Sequence, residues 1–351
     1  YLYDGLYVRN GVQAGWDAVG KLGLGGLDVT PDGRFLFTVA LGDRRLYVID
    51  TQTLQVRGYA LPRPVNRTGA TSASDLGDVR PFAVTYYKGS FYVGAVNTAE
   101  STVTALDADG DPSKLFAYVF KFDPGASPVA GTSGKFVDTL GAATTALPVF
   151  EFALNYNRGY IQPGYDFPPP AAPNPYSANW LPWTRQYANL ADPTRTPRLG
   201  MYPQPWLTGI TFDEGGNITL GLRDRSGDQF GVVTPVDPNA DPNDRLTYKF
   251  AVSAGDTLRA TKAGNSWALE SNGGGSANGA GNNQGPGGGE FYNGDYLPPG
   301  VYASSGNPAL RGTQDHQEVS IGGVLQIPGF PDVVVNVYDP AFISRRYNSG
   351  G

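Results

Sequence analysis

Cysteine is absent from this sequence of 351 residues, and methionine and histidine occur once each, as Met201 and His316. The lack of cysteine excludes disulfide bonds and cysteine nucleophiles. The single histidine excludes zinc sites that need a histidine pair. A Ser-His-Asp triad would have to use His316, and the chain has no G-x-S-x-G motif to support one. Composition alone therefore removes several common routes to hydrolysis.

Long apolar runs and long basic runs are also lacking. No segment offers the roughly 18 to 20 consecutive apolar residues of a membrane-spanning helix. The 26 Lys and Arg residues are outnumbered by 32 Asp and Glu residues, which gives a formal net charge of -6. The basic residues form no run that could follow a phosphate backbone. The sequence therefore predicts neither a membrane span nor a nucleic-acid partner.

Glycine, proline and aromatic residues are plentiful, with 48 Gly, 29 Pro and 12% aromatics. Residues 25–61 show how they are used. A short strand over residues 27–29 is followed by the turn Pro31-Asp32-Gly33-Arg34, and three more short strands follow with turns between them. Four short strands in fewer than about forty residues match one blade of a β-propeller.

Less regular units follow and extend the same plan. Residues 81–123 give three strands with a long loop, residues 207–223 repeat a strand, a turn and a strand that residues 256–260 continue, and residues 318–339 hold a last unit. Repeats of this kind predict a closed radial array. We expect an all-β propeller of roughly five to seven four-stranded blades, with long loop insertions, as a single domain over residues 1–351.

Two stretches depart from the repeat. Residues 156–206 are an irregular insertion rich in aromatic residues and proline, and residues 271–289 are a glycine-rich stretch for which a flexible surface loop is expected. Residues 347–351 would begin another strand at the point where the chain stops. We therefore expect a fragment of a longer polypeptide, with the last blade completed from elsewhere, for example by the strand over residues 5–8.

Charged residues of both signs are dense directly after the predicted strand over residues 218–223, and they include Asp224, Arg225 and Asp228. Where inner strands end, such residues would line the central channel of a propeller or one of its mouths, which makes them candidate binding residues. The alternative is structural. Charges at a strand end also form salt bridges between blades and hydrogen bonds to loop backbone, since buried charges need partners.

The acidic loop over residues 107–113 spaces three carboxylates two residues apart, at Asp107, Asp109 and Asp111. This spacing is typical of the start of a calcium-binding loop with oxygen ligands. The distal glutamate of such loops is missing, and Pro112 departs from the usual pattern. The two interpretations are a calcium site and a solvated tip of a loop insertion.

His316 lies close to Glu318, just before an apolar strand. A histidine beside carboxylates can act as a general base or as a metal ligand. No second histidine is available in the chain. The alternative is a structural histidine whose ring bonds to loop backbone.

Aromatic side chains are concentrated in the insertion over residues 156–206. A long loop of this kind is often a binding platform for sugars or for another protein, because Trp and Tyr give large contact areas with few rotatable bonds. The alternative is that the rings pack over a face of the propeller and seal it. The candidate residues are Trp180, Trp183, Tyr187, Tyr202 and Trp206.

Several motifs carry a resemblance to a known family. They are the runs over residues 208–231, 255–260, 285–292 and 316–329, and the likeness begins at residues 25–29. Together they resemble bacterial cell-surface proteins in which a propeller precedes repeated B-type domains of serine-aspartate-repeat adhesins. The resemblance implies an exported, multidomain surface architecture and brings no catalytic residues with it. No B-type module is visible in this chain.

The sequence thus favours an extracellular or cell-surface propeller that acts as an adhesin-like structural and interaction module. The expected partners are proteins, through a homo-oligomeric or fibrous assembly or through neighbouring domains of the same chain. Two alternatives stay open: a propeller glycoside hydrolase or polysaccharide lyase with paired acids near a channel mouth, and a passive carbohydrate-binding module with an exposed row of Trp and Tyr. Apart from calcium, no cofactor is expected.

Overall fold

A computed structural model gives the fold of this chain, and structural statements refer to the residues that it describes. Within them the chain is all-β, with seventeen strands in five antiparallel sheets and one short α-helix. The described residues are 17–62, 75–104, 107, 109–130, 133–137, 148–158, 179–185, 202–230, 234–235, 248–249, 255–271, 285–289, 291–292, 320–330 and 332–337.

Sheet 1 is built by the predicted first blade, and its four strands pair in chain order. The turns explain where the strands end. Asp32 Oδ1 accepts a hydrogen bond from the Arg34 backbone N–H (3.1 Å), next to Gly33 at φ 73°. Asp50 Oδ1 accepts from the Gln52 N–H (2.9 Å) in the later turn. The predicted four strands are confirmed as β1 Leu24–Val29, β2 Phe35–Ala40, β3 Arg45–Asp50 and β4 Val56–Ala60.

Sheet 2 has five strands, and its central strand β6 is fully buried. The order is β5-β6-β7-β8, and β9 also pairs with β7. Every residue of β6 is buried, as expected for a central strand covered on both faces. The strands are β5 Val79–Tyr87, β6 Ser90–Asn97, β7 Phe116–Asp123, β8 Lys135–Phe136 and β9 Phe150–Ala153.

Sheet 3 has four strands in the order β10-β11-β14-β15, and sheet 4 has the two strands β16 and β17. The short helix α1 directly follows β11, and β12 pairs with β13 in a separate small sheet. The elements are β10 Pro205–Phe212, β11 Ile218–Asp224, α1 Arg225–Phe230, β12 Thr234–Pro235, β13 Tyr248–Lys249, β14 Asp256–Ala263, β15 Ser266–Leu269, β16 Ser320–Gln326 and β17 Val333–Val337.

The first strands of sheets 1 to 4 lie side by side, with β1 against β5, β5 against β10 and β10 against β16. Their contacts advance in the same direction along both members of each pair. All four therefore run parallel and begin at the same end of the molecule, which we call the start face. These contacts are Gly26 with Phe82 and Asp28 with Tyr86, then Phe82 with Trp206 and Tyr87 with Phe212, then Thr208 with Gly322 and Thr211 with Gln326.

Aromatic stacking and glycine backbone join the successive sheets. Phe37 of sheet 1 stacks on Phe91 of sheet 2, with ring centroids 3.5 Å apart. Gly221 of sheet 3 allows a close approach, because a Cβ there would collide with the backbone oxygen of Gly322 in sheet 4. The core is therefore a series of sheets packed face against face. Closure of this series into a propeller ring, and any blade count, stay predictions.

Candidate functional site

Charged and polar side chains collect at the start face, because the ends of several strands meet there. Lys21 precedes β1, Glu100 follows β6, Gln204 precedes β10 and Arg225 follows β11. All four residues are buried. Burial of charge is expensive unless every charged group finds partners, so the arrangement of these partners defines what the site can do.

Glu100 is the centre of an ion-pair network. Its carboxylate accepts hydrogen bonds from Lys21 Nζ and from Arg185 Nε (3.0 Å), and Arg80 Nη2 lies 3.7 Å away. The side chain of Glu100 is only 2% exposed, whereas that of Arg185 is 66% exposed. Burial lowers the pKa of Lys21, although the neighbouring Glu100 and Asp17 act in the opposite direction. The network therefore runs from the protein interior to solvent.

Arg225 connects three separate segments at the start face. Its guanidinium donates to the backbone oxygens of Val19 (2.8 Å) and Asp17 (2.9 Å) and to Gln204 Oε1 (2.7 Å). The guanidinium also stacks on the Trp183 ring, 4.3 Å from its centroid. Burial lowers the pKa of Arg225 to about 10. These contacts fix loops in place, which matches the structural alternative for Arg225.

Asp224 is fully buried next to Arg225. Its carboxylate accepts from the backbone N–H groups of Gln204 and Ser226 (2.9 Å each) and from the Ser226 hydroxyl (2.8 Å). Burial raises the pKa of Asp224 to about 6, against the opposing effect of the Arg158 charge. The raised pKa has a structural cause, and the carboxylate does not face solvent.

Asp228 is more exposed and is paired with Arg223. Both carboxylate oxygens accept from the guanidinium, through Nε and Nη2. Arg223 also donates from Nη1 to the Ile321 backbone oxygen (3.2 Å) of sheet 4. Asp224, Arg225 and Asp228 are thus brought close together at the start face, and each is engaged in ion pairs or in hydrogen bonds to backbone.

The described aromatic residues of the insertion are buried, with Trp183 at 0% exposure and Trp180 at 1%. Trp183 Nε1 donates to the Pro205 backbone oxygen (2.8 Å), and the ring packs in the hydrophobic core. Trp206 packs edge-on against Phe82 of sheet 2. Trp180, Trp183, Tyr202 and Trp206 therefore seal the structure and do not present an exposed platform for sugars; Tyr187 lies outside the described residues.

Asp107 and Asp111 of the acidic loop serve as local turn acceptors. Asp107 Oδ1 accepts from the backbone N–H groups of Asp109 (3.2 Å) and Gly110 (3.1 Å). Asp111 Oδ1 accepts from the Ser113 N–H (3.0 Å) at the start of a short 3-10 helix. In the part of the chain that the structure describes, no group of three His, Cys, Asp or Glu side chains could hold a metal ion. A calcium site at Asp107, Asp109 and Asp111 stays a prediction.

His316 and Glu318 lie outside the described residues, as do residues 272–284 of the glycine-rich stretch. The general-base, metal-ligand and structural interpretations of His316 therefore all stay predictions. Within the described ranges, no helix has the length and apolar character needed to cross a membrane.

Glu100, Arg80 and Lys21 were not candidates from the sequence, although they form the centre of the ion-pair network. Arg80 gave a weak signal as a charged residue at the start of an apolar strand. Glu100 gave none, because a single glutamate in a polar loop is ordinary. Its partners come from residues 79 and 85 positions away along the chain, which no local pattern reports.

An all-β protein with parallel first strands and an ionic start face is the class that these observations define. The chain matches no protein-family model. It is 26% identical to Colossin-A of Dictyostelium discoideum over 321 residues, which are 91% of this chain and 2% of Colossin-A. The chain therefore spans a very small part of that protein.

Among solved structures, the crystal structure of the major Malassezia sympodialis allergen Mala s 1 is 10% identical. The likeness covers 72% of this chain and 78% of the allergen chain, with a TM-score of 0.24. A TM-score this low carries no argument about fold. Neither similarity involves the bacterial surface proteins that the sequence resembles, so that resemblance stays a prediction.

Proposed function

We propose that this chain is a β-propeller that acts as a structural and interaction module of an extracellular or cell-surface protein, by self-association. Four sheets in series with parallel first strands support the propeller geometry. The sequence resemblance to adhesin-containing surface proteins supports the surface location.

The observation that carries the proposal is where apolar side chains are exposed. One group lies on β1 of sheet 1 and another on β16, β17 and the turn between them, at the two ends of the series; Leu22, Leu54 and Val56 are exposed as well. Large apolar residues that are exposed together on one face indicate an interaction surface, whereas single exposed apolar residues are common on any protein. The exposed residues at these two ends are Leu24, Leu27, Val29, Leu325, Ile327, Phe330 and Val334.

The described acids do not favour the hydrolase or lyase alternative. Paired catalytic carboxylates must face substrate in an open cleft. Asp224 is fully buried, and Asp228 is held by Arg223. The buried Trp and Tyr rings likewise do not favour the passive carbohydrate-binding alternative. A structural module is the function that these contacts support best.

Native, unproteolysed protein tests the proposal directly. Its mass in solution is measured over a range of concentrations, and the same material is imaged by electron microscopy. We expect oligomers, fibres or sheets built from ring-shaped units. A discrete monomer at all concentrations would contradict self-association, and images without a ring outline would contradict the propeller.

A further inference from the structure

Positive charge exceeds negative charge in the part of the start face around Glu100, although the whole chain is acidic. Arg80 has two basic neighbours, Arg44 and Arg185, whose charges influence its pKa. The acidic residues Asp78 and Glu100 influence the same pKa in the opposite direction. Lys21 and Arg225 bring two further positive charges, with Asp17 as their additional acidic partner. Five basic groups therefore meet three acidic groups among the described residues of this cluster.

Arg80 is the basic residue of this cluster that uses the fewest of its N–H donors among the described residues. Its side chain is 11% exposed, and its Nη2 lies 3.7 Å from Glu100 Oε2. Arg80 Nε is buried and makes no hydrogen bond to any described residue. A guanidinium carries five N–H donors, and a buried donor without an acceptor is destabilising. Burial and the nearby Arg44 also lower the pKa of Arg80.

Asp78 and Glu100 form hydrogen bonds to groups other than Arg80. Both oxygens of Asp78 accept from the Ser101 backbone N–H (3.1 and 3.0 Å), and the Ser101 hydroxyl adds a further bond (2.7 Å). Glu100 accepts from Lys21 and Arg185 through Oε1. Its second oxygen, Oε2, lies 3.7 Å from Arg80 Nη2 without a hydrogen bond, and Arg80 Nε has no acceptor among the described residues.

The cluster is open to solvent on one side. Arg185 and Ser101 are both exposed, and Arg44 donates to the Gly77 backbone oxygen (2.7 Å) immediately before Asp78. Arginine is the side chain best suited to planar, two-bond recognition of carboxylate or phosphate. We propose that Arg80, Arg185 and Arg44 form a binding site for an oxyanion group, a carboxylate or a phosphate, carried by a ligand that meets the start face.

This site is independent of self-association, so its failure would leave the proposed function intact. The test measures binding of inorganic phosphate and of acetate to the full chain, by calorimetry and by thermal shift, against chloride at equal ionic strength. We expect both oxyanions to raise the melting temperature more than chloride. The oxyanion that binds more tightly shows whether the natural ligand carries a phosphate or a carboxylate group.

Arg185→Gln is the decisive variant, because this side chain is exposed and its replacement leaves no cavity in the core. We expect its oxyanion affinity to fall by about tenfold or more, since hydrogen bonds to charged groups contribute about 1.5 to 3 kcal/mol each. Arg80→Gln should lose binding as well. Arg34→Gln is the matched control, because Arg34 also pairs with a buried carboxylate, Asp50, at the opposite end of sheet 1.

Unchanged affinity in Arg185→Gln, or no preference of the wild type for oxyanions over chloride, would overturn the site. An equal loss in Arg34→Gln would do the same, because it would show a general charge effect. If Arg80→Gln does not fold, Arg185→Gln and Arg34→Gln still decide the question.

Discussion

Glu100 is the residue whose charge holds the start face together. Its carboxylate neutralises Lys21 and Arg185 in a buried position, and removal of one partner from a buried network leaves uncompensated charge. We expect Glu100→Gln to lower the free energy of unfolding by about 3 kcal/mol. Urea denaturation measures this.

Asp123→Asn is the control for Glu100→Gln. Asp123 is exposed, and its carboxylate accepts a turn hydrogen bond from the Gly125 backbone N–H (2.9 Å). An exposed substitution of this kind changes stability by about 0.5 kcal/mol or less. A Glu100→Gln effect no larger than that of the control would show that the network contributes little to folding.

Asp224 gives stability a specific pH dependence. Burial raises its pKa from 3.8 to about 6, so between those values the native state keeps a proton that the unfolded chain has released. This contribution is fully present below about pH 4 and is lost as the pH rises to about 6. Two pKa units correspond to about 3 kcal/mol.

Asp224→Asn removes the titrating group and keeps its shape. We expect the wild type to lose stability relative to this variant between pH 4 and pH 6, and the difference to level off above pH 6. Denaturation curves at several pH values give both free energies. Parallel pH profiles for the two proteins would contradict the raised pKa.

Whole strands are positioned by glycine where one sheet meets the next. β11 approaches β16 so closely that a Cβ at Gly221 would collide with backbone, which cannot rotate away as a side chain can. We expect Gly221→Ala to destabilise the protein by about 1 to 3 kcal/mol or more, as overpacking does. Hydrogen exchange should show lost protection in β16 and β17 first.

Gly77→Ala is the control at this scale, because a Cβ at Gly77 meets nothing within 4 Å. It should leave exchange in β16 and β17 unchanged. Equal protection in both variants would mean that β16 is not held by this close approach.

The elements of sheet 1 were predictable because each strand and turn is specified locally. Asp32, Gly33 and Asp50 make the turn contacts that their residue types suggest, and strand alternation is visible between them. The strand plan over residues 81–123 and 207–223 is also confirmed. By contrast, helix α1 occupies residues that gave only a charge signal, because a stretch of six residues has too little periodicity to predict.

The molecule as a whole presents apolar faces at both ends of its series of sheets. Leu27 of sheet 1 and Phe330 next to sheet 4 are each 62% exposed. We expect Leu27→Ser and Phe330→Ser each to lower the average mass measured by sedimentation at high concentration, because apolar burial stabilises association. Leu54→Ser is the control, since Leu54 is exposed in the turn between β3 and β4 and belongs to neither β1 nor the β16–β17 sheet.

Association that persists in both variants, or that falls equally in Leu54→Ser, would contradict these faces as the interface. Contact between the two end faces within one chain closes the propeller ring, whereas head-to-tail contact between chains generates an oligomeric ring or an open filament. Electron microscopy of the wild type distinguishes those two forms.

The sequence by itself determined the all-β class, the strands and turns of sheet 1, and the absence of cysteine chemistry, because these follow from composition and from contacts between near neighbours. Only the tertiary structure decided the role of the charged residues. Arg225 and Asp224 carry the same charges whether they line a channel or bind loop backbone, and burial selects the second. Glu100 acquires its importance solely from partners that are distant in the chain and are brought together by the parallel first strands.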